Sequence, residues 1–127
     1  MRKVRKVLVI EDDLISRKML VKAVEDLGLI AIQSCDGRQG WETLWENQDV
    51  CLIITDMMMP DMDGRELIQI VRGNEQFSQL PIIIVSGVVT PEEVESLLKR
   101  PPCTFCQKPI NLEQLRKAIH KMLPEAF

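Results

Sequence analysis

Acidic, hydroxyl and ammonium side chains stand within a few residues of the ends of four short apolar runs of this sequence. In chain order they are Glu11, Asp12 and Asp13, then Asp56, Ser86 and Lys108. Carboxylates held close together repel each other and therefore favour a hard divalent cation such as Mg²⁺. A carboxylate is also a nucleophile that can form an acyl phosphate, while Mg²⁺, an ammonium group and a hydroxyl stabilise charge on the transferring oxygens. Brought together, these side chains predict phosphoryl transfer onto the protein itself.

Each of these residues also has an ordinary structural explanation when it is taken alone. Asp13 suits the start of a helix, Ser86 suits a turn, and Lys108 suits an exposed surface. The prediction of chemistry therefore depends on whether the fold brings the four positions to one place.

The hydrophobic pattern predicts five strands that alternate with five helices. Short apolar runs with β-branched residues indicate buried strands at residues 7–10, 30–32, 50–54, 82–85 and 103–106. Segments with apolar residues at helical spacing follow the runs. Strict alternation implies parallel pairing with right-handed crossovers, which gives a three-layer α/β fold. Because chemistry in such sheets sits at the carboxyl ends of the strands, the polar residues are expected to converge there.

Cap and turn residues agree with these element boundaries. Glycine is typical just after a helix, and short polar side chains or a proline are typical at its start. The predicted boundary residues are Gly28 after the first helix, Asp36-Gly37 before the second, Thr90-Pro91 before the fourth and Asn111 before the fifth.

Length and composition predict one domain over residues 1–127. A chain of 127 residues that is 46% hydrophobic can bury a core without a disulfide or a structural metal. The net charge of −3 argues against direct nucleic-acid binding, which depends on clustered Lys and Arg. No apolar stretch approaches the roughly 20 residues of a membrane span, and none resembles a signal peptide. A cytoplasmic protein without a membrane or nucleic-acid partner is therefore expected.

Four motifs taken together resemble the receiver domain of two-component response regulators, in particular the single-domain chemotaxis regulators. They are Val9-Ile10-Glu11-Asp12-Asp13, Asp56-Met57-Met58-Met59-Pro60-Asp61-Met62-Asp63-Gly64, Ser86-Gly87 and Lys108-Pro109. The steps from Asp12 to Asp56, on to Ser86 and on to Lys108 are 44, 30 and 22 residues, all usual for receivers. The likeness covers residues 6–123. It implies a flavodoxin-like (βα)5 fold, a doubly wound parallel sheet of five strands in the order 2-1-3-4-5 with helices on both faces.

The resemblance implies a role for each acidic residue. Asp56 is the expected phosphoacceptor. Asp12 and Asp56 are expected to bind Mg²⁺ directly, Met58 through its backbone carbonyl, and Glu11 through a metal-bound water. Asp13 then remains mainly a helix cap.

Three further residues are expected to respond to the phosphoryl group. Lys108 pairs with Asp56 at rest and with the phosphoryl oxygens afterwards. Ser86 resembles the switch hydroxyl of receivers, and Phe105 the switch aromatic three residues before the lysine.

The same resemblance implies the partners and the fate of the phosphoryl group. A histidine kinase or a histidine phosphotransfer protein is the expected donor, and a downstream protein or an attached output domain is the expected target, with a homodimer also possible. Beyond self-phosphorylation and weak autophosphatase activity, the chain is not expected to be an enzyme. Apolar Met58 and Val88 flank the expected path of the attacking water, which predicts slow self-dephosphorylation. No output segment follows Phe127, so a stand-alone receiver or part of a longer regulator is expected.

Two other classes of protein share parts of this pattern. Asp61-Met62-Asp63-Gly64 resembles the DxDG of haloacid-dehalogenase-like phosphatases, but there a Thr follows the Gly, and here Arg65 does. A pseudo-receiver binds proteins without being phosphorylated, and it usually lacks the acceptor, an acidic residue or the lysine. All of these are present here, which favours the phosphoacceptor.

Two segments before and within the last predicted strand need separate explanations. The loop Lys99-Arg100-Pro101-Pro102 departs from the Gly-Ala common in receivers, and its two prolines stiffen the connection. Cys103-Thr104-Phe105-Cys106 is a CxxC, but residues three apart in a strand point to opposite faces. Four free thiols, buried or half-buried, are therefore expected rather than a redox or metal site.

Overall fold

The computed structural model describes residues 5–59, 61–87 and 90–126, and within them five strands alternate with five helices. The strands are β1 Lys6–Ile10, β2 Ile30–Ser34, β3 Val50–Thr55, β4 Ile82–Ser86 and β5 Cys103–Gln107. The helices are α1 Leu14–Asp26, α2 Gly37–Glu46, α3 Gly64–Gly73, α4 Pro91–Leu98 and α5 Leu112–Met122, with a 3-10 turn at Pro124–Ala126. All strands pair in parallel in the order β2-β1-β3-β4-β5, which confirms the predicted α/β fold.

Two layers of buried apolar side chains hold the helices to the sheet. Alternate residues of a strand point to opposite faces, so Val7 and Val9 of β1 join the layer under α1 and α5. Leu8 and Ile10 join the layer under α2, α3 and α4. Central strands covered on both faces must be apolar on both, which is why the strand runs are continuous rather than alternating. None of the described helices is long and apolar enough to cross a membrane.

Each helix begins after a residue whose side chain accepts a hydrogen bond from the backbone of the first turn. The five N-caps are Asp13, Asp36, Asp63, Thr90 and Asn111. The predicted caps Asp36, Thr90 and Asn111 are therefore confirmed. Gly28 follows α1 with φ of +81°, a left-handed conformation that favours glycine.

Several strands extend further than the apolar runs predicted, and this changes the place of one site residue. β2 continues to Ser34 because polar residues at a carboxyl end can still pair in the ladder. Ser86 is the last residue of β4 and pairs with Gln107, so the prediction that it stands just past the strand is wrong. β2 lies at the edge of the sheet, and Ile30 is 44% exposed, so this strand is less buried than predicted.

Candidate functional site

The ends of four strands place the predicted site residues at one edge of the sheet. Glu11 continues β1 by donating its backbone N–H to β2 at 3.1 Å, and Asp56 continues β3 by donating to the Ile10 carbonyl at 3.1 Å. Lys108 follows β5, and its N–H donates to the Ser86 carbonyl at 2.9 Å. These bonds extend the parallel ladder by one residue, so the carboxyl ends of β1, β3, β4 and β5 meet as the topology predicts.

Three carboxylates converge at this edge. One oxygen each of Glu11, Asp12 and Asp56 lies within 4.8 Å of the other two. Glu11 is fully buried, Asp56 is 5% exposed and Asp12 is exposed, so the cluster reaches from the interior to the surface. The Asp13 side chain instead accepts the Ser16 N–H at 2.8 Å as the N-cap of α1. The hydrogen bonds with Ser16 hold the pKa of Asp13 below its usual range.

The two carboxylate oxygens of Asp56 have different partners. Oδ1 accepts the backbone N–H groups of Met57 at 2.6 Å and Met58 at 3.3 Å. Oδ2 accepts from Lys108 Nζ at 3.2 Å. Because the backbone holds one oxygen, the direction of the other is fixed before any ligand arrives.

Lys108 bridges two of the three carboxylates. Its Nζ lies 2.5 Å from Glu11 Oε1 as well as 3.2 Å from Asp56 Oδ2. The contact with Asp56 was predicted, but the closer contact with Glu11 was not. Burial raises the pKa of Glu11 to about 7, and the hydrogen bond from Lys108 offsets only part of this rise. Burial acts to lower the pKa of Lys108, but the hydrogen bond to Glu11 and the charge of Asp56 outweigh it and raise that pKa.

Two glycines allow neighbouring segments to approach the loop after β3. A Cβ at Gly64 would collide with the carbonyl oxygen of Asp56, and a Cβ at Gly37 would collide with the carbonyl oxygen of Met62. The Gly37 N–H donates to the same Met62 oxygen at 3.0 Å. The start of α2 therefore packs closely against the loop that follows β3 and begins with Asp56, and hydrogen-bonds to it.

The site opens to the surface beside this loop. An open pocket of about 300 Å³ is lined by Asp12, Met58, Met59 and Asp63. Met58 is 64% exposed and borders this opening, while the role of its carbonyl as a metal ligand stays a prediction. Asp63 accepts the Glu66 N–H at 3.0 Å, so its place in the DxDG-like motif is explained by capping of α3. The predictions that concern Pro60 and Val88 lie outside the described residues.

Ser86 and Phe105 lie on the same face of the sheet. Ile84 pairs with Phe105 and Ser86 pairs with Gln107, and every second residue of a strand shares a face. The Ser86 hydroxyl is fully buried and has no hydrogen-bond partner among the described residues. Phe105 is half-buried against the apolar layer under α2, α3 and α4. An unpartnered buried hydroxyl costs about 1–3 kcal/mol, which an incoming acceptor oxygen would relieve.

The carboxylate cluster fits a hard divalent cation. Its side-chain donors are all carboxylate oxygens, the type that Mg²⁺ prefers, and one of them, on Asp12, is exposed to solvent. In the described part of the chain, no other group of three or more Cys, His, Asp and Glu side chains is close enough to hold a metal ion. The residues present therefore suit the metal that the family resemblance implies.

Arg17 of α1 is a residue of the site that the sequence did not reveal. Its Nη1 donates to the Glu11 carbonyl at 2.9 Å, and its Nε donates to Gln33 Oε1 at 3.3 Å. An arginine in an amphipathic helix is ordinarily an exposed charge, so composition and spacing carry no signal for this contact. Only the packing of α1 beside the end of β1 brings the guanidinium to the acidic pair.

The cysteines take no part in the site. Cys35, Cys51, Cys103 and Cys106 are all free. Cys103 and Cys106 belong to opposite apolar layers, as their spacing in a strand predicts. Burial raises the pKa of the Cys103 thiol to about 11, so it stays protonated at neutral pH. The thiols are free as predicted, but the prediction that all four are buried or half-buried is wrong for Cys35, which is exposed.

Comparison with known proteins agrees with this geometry. Residues 7–120 match the family described as the response regulator receiver domain. A chemotaxis protein CheY homolog from Campylobacter jejuni is 30% identical over 119 residues, which cover 93% of this chain and 92% of the relative. Chemotaxis protein CheY1 from Helicobacter pylori is 29% identical and covers 93% of this chain and 96% of its own.

Solved structures share the fold over almost the whole chain. The chemotaxis response regulator CheY4 of Vibrio cholerae superposes with a TM-score of 0.86 at 27% identity, covering 95% of this chain and 100% of that one. A response regulator receiver protein from Pseudomonas putida superposes with a TM-score of 0.87 at 27% identity, covering 95% and 99%. The family match over residues 7–120 includes the ends of all four strands of the site. The chain therefore belongs to the response regulator receiver domain family.

Proposed function

We propose that residues 1–127 form one receiver domain that takes a phosphoryl group onto Asp56. The donor is the phosphohistidine of a histidine kinase or of a histidine phosphotransfer protein in the cytoplasm. The target of the signal is a downstream protein or an output domain attached to this chain. The observation that carries the proposal is the placement of Asp56 between Lys108 and two further carboxylates.

Asp56 has the geometry of a preorganised nucleophile. Its Oδ1 is held by two backbone N–H groups, and its Oδ2 faces the ammonium group of Lys108. In the proposed reaction a carboxylate oxygen bonds to phosphorus while the phosphorus–nitrogen bond of the donor breaks, and the imidazole, which already carries a proton on its other ring nitrogen, leaves as a neutral ring. Since little covalent chemistry falls to the protein, positioning and charge stabilisation supply most of the catalysis.

Mg²⁺ is the proposed cofactor, which Asp12, Asp56 and the Met58 carbonyl would hold directly and Glu11 would hold through water. When bound it would neutralise charge on the carboxylates and on the transferring oxygens. Lys108 stays a cation at neutral pH because its carboxylate contacts raise its pKa, so it offers a second positive charge to the phosphoryl group. Ser86 offers a hydroxyl that has no partner among the described residues. The site thus supplies two cations and a hydrogen-bond donor for three oxygens.

A pseudo-receiver is the alternative that the residues have to be weighed against. Such a module needs the fold but not the assembled chemistry. Here the acceptor, both acidic residues and the lysine are present and in contact, and burial of Glu11 next to Asp56 has no structural benefit of its own. The phosphoacceptor function is therefore favoured over that of a pseudo-receiver.

Labelling of Asp56 tests the proposal. Wild-type protein incubated with acetyl phosphate and Mg²⁺ should take up close to one phosphoryl group per chain, and Asp56→Asn should take up none, because the amide is not a nucleophile. Intact mass spectrometry measures both. Asp26→Asn is the matched control, since Asp26 ends α1, where it contacts Lys22 and Arg116, and its loss should leave labelling unchanged. Undiminished labelling of Asp56→Asn, or an unlabelled wild type that still binds partners, would reject the proposal.

A further inference from the structure

Arg17 ties α1 and β2 to the peptide that follows β1. Its Nη1 donates to the Glu11 carbonyl at 2.9 Å and its Nε donates to Gln33 Oε1 at 3.3 Å. The Glu11 N–H donates to the Ser34 carbonyl at 3.1 Å. The backbone of Glu11 is therefore held at both of its polar groups, by β2 through the N–H and by α1 through the carbonyl.

The Glu11 carbonyl needs a donor from outside the sheet because the ladder ends there. Ile10 is the last residue of β1 in register with both neighbours, opposite Ser34 and Thr55. The Asp56 N–H already donates to the Ile10 carbonyl. The Arg17 guanidinium donates to the next acceptor along the chain, the Glu11 carbonyl. Its planar fork serves two acceptors in one fixed geometry, so Gln33 sets the orientation in which it meets the Glu11 carbonyl.

We propose that Arg17 is a positioning residue for the Mg²⁺ site. By holding the Glu11 carbonyl, it fixes the peptide that joins Glu11 to Asp12 and so sets the directions of the buried and the exposed carboxylate together. The inference rests on the proposed function, because it assigns Arg17 to the metal site of that same reaction.

Whether Mg²⁺ affinity rises or falls when Arg17 is replaced distinguishes a positioning role from an effect of its charge. Arg17 is a cation close to the acidic cluster, so its charge alone repels Mg²⁺, and removing only that charge would strengthen binding. Loss of the contact with the Glu11 carbonyl frees the peptide and weakens binding. A weaker site in Arg17→Gln therefore means that positioning outweighs repulsion.

Calorimetric titration with MgCl₂ at constant ionic strength measures whether the Mg²⁺ affinity rises or falls. Arg17→Gln should bind about tenfold more weakly than wild type, the size of effect usual when the support of a metal ligand is removed. Arg17→Lys keeps the charge and its repulsion but not the fork, and should bind Mg²⁺ no more tightly than Arg17→Gln. Lys18→Gln is the matched control: Lys18 is the next residue of α1 and is exposed, so its loss should leave the affinity within about twofold or slightly tighter.

Amide hydrogen exchange of the metal-free proteins gives a readout that does not depend on the metal. In Arg17→Gln the Glu11 amide should lose protection, while the Asp56 amide, which is held by Ile10, keeps it. Equal loss at both amides and at the core amide of Ile53 would show general destabilisation and contradict a positioning role.

The two proposals fail in different ways. If the wild type neither binds Mg²⁺ nor is labelled by acetyl phosphate, the proposed function is wrong and the Arg17 inference falls with it. If the wild type does both, but Arg17→Gln binds Mg²⁺ as tightly as Lys18→Gln, only the Arg17 inference is overturned.

Discussion

At the scale of single residues, the unusual feature of the site is a fully buried carboxylate that shares a lysine with the proposed acceptor. Glu11 has no access to water, and burial raises its pKa to about 7. Lys108 contacts both Glu11 and Asp56, so part of the negative charge of the cluster is compensated without a metal ion. Mg²⁺ that enters must compete with this contact and with a proton on Glu11.

Mg²⁺ affinity is therefore expected to depend on pH near neutrality. A metal binds best to the ionised cluster, so binding releases protons while Glu11 is protonated, and the affinity rises as pH increases through about 7. For one proton with this pKa, the association constant should grow about tenfold between pH 6 and pH 8 and then level off. Calorimetric titration at several pH values measures the profile.

Glu11→Gln is the control for this pH dependence. It cannot titrate, so its Mg²⁺ affinity should vary little over the same range. A wild-type profile as flat as that of Glu11→Gln would contradict the assignment of the titration to Glu11.

The neighbouring aspartates should differ in their importance for the metal. Asp12 contributes an oxygen to the carboxylate cluster, whereas Asp13 accepts the Ser16 N–H and caps α1. Asp12→Ala should lower Mg²⁺ affinity by more than tenfold, because it removes a direct ligand of the proposed site. Asp13→Ala should mainly lower the free energy of unfolding, because it removes the N-cap of α1. Equal losses of Mg²⁺ affinity in the two variants would mean that the ligands are wrongly assigned.

At the scale of the elements, a single side chain of α3 holds the loops at the end of the sheet opposite the site. Arg72 Nη1 donates to the Leu80 carbonyl at 2.7 Å, Nη2 to the Pro102 carbonyl at 2.7 Å, and Nε to the Arg100 carbonyl at 2.9 Å. The predicted stiff loop before β5 is thus also tied to α3. Proline removes backbone donors there, and the guanidinium supplies donors to the carbonyls that remain.

Removal of the Arg72 side chain should destabilise the protein without affecting the site. Arg72→Ala removes the guanidinium from the partly buried carbonyls of Ser78, Leu80 and Pro102, of which Pro102 keeps the Ile82 N–H, and should lower the free energy of unfolding by about 2 kcal/mol. Urea unfolding measures the loss. Arg65→Ala is the control, since its 3.6 Å contact with Glu93 is exposed and should contribute less than about 1 kcal/mol. Equal losses in the two variants would show that the carbonyl contacts of Arg72 add little.

At the scale of the whole molecule, the apolar pattern predicted a parallel α/β fold and the edge where polar residues meet, and the family resemblance implied the order of strands. The contacts between the site residues were not predicted in full. Alternating apolar runs and helical spacings are local signals, and parallel topology follows from them. The contacts of Lys108 and Arg17 with Glu11 join residues far apart in the chain or across elements, so they depend on packing that no local pattern encodes. The prediction that Ser86 lies outside β4 is wrong because a polar residue ends an apolar run without ending the backbone pairing of the strand.

The proposed switch is a property of the molecule as a whole, because it links the site to the face formed by α4 and β5. A phosphoryl group brings about two negative charges and three acceptor oxygens to the site. The Ser86 hydroxyl can then gain the partner that it lacks among the described residues. In the proposed switch, movement of Ser86 would leave room on the face of the sheet that Phe105 shares, and a two-state change is expected.

Nuclear magnetic resonance spectra with and without beryllofluoride, a stable mimic of the acyl phosphate, test this link. Backbone shifts should change across residues 86–110 as well as next to Asp56. In Ser86→Ala the changes should shrink to the surroundings of Asp56, because the hydroxyl that transmits them is gone. The same variant should be as stable as wild type or more stable by about 1 kcal/mol in urea, since it removes a buried hydroxyl without a described partner. Changes confined to Asp56 in the wild type, or distant changes that survive in Ser86→Ala, would contradict coupling through Ser86 and Phe105.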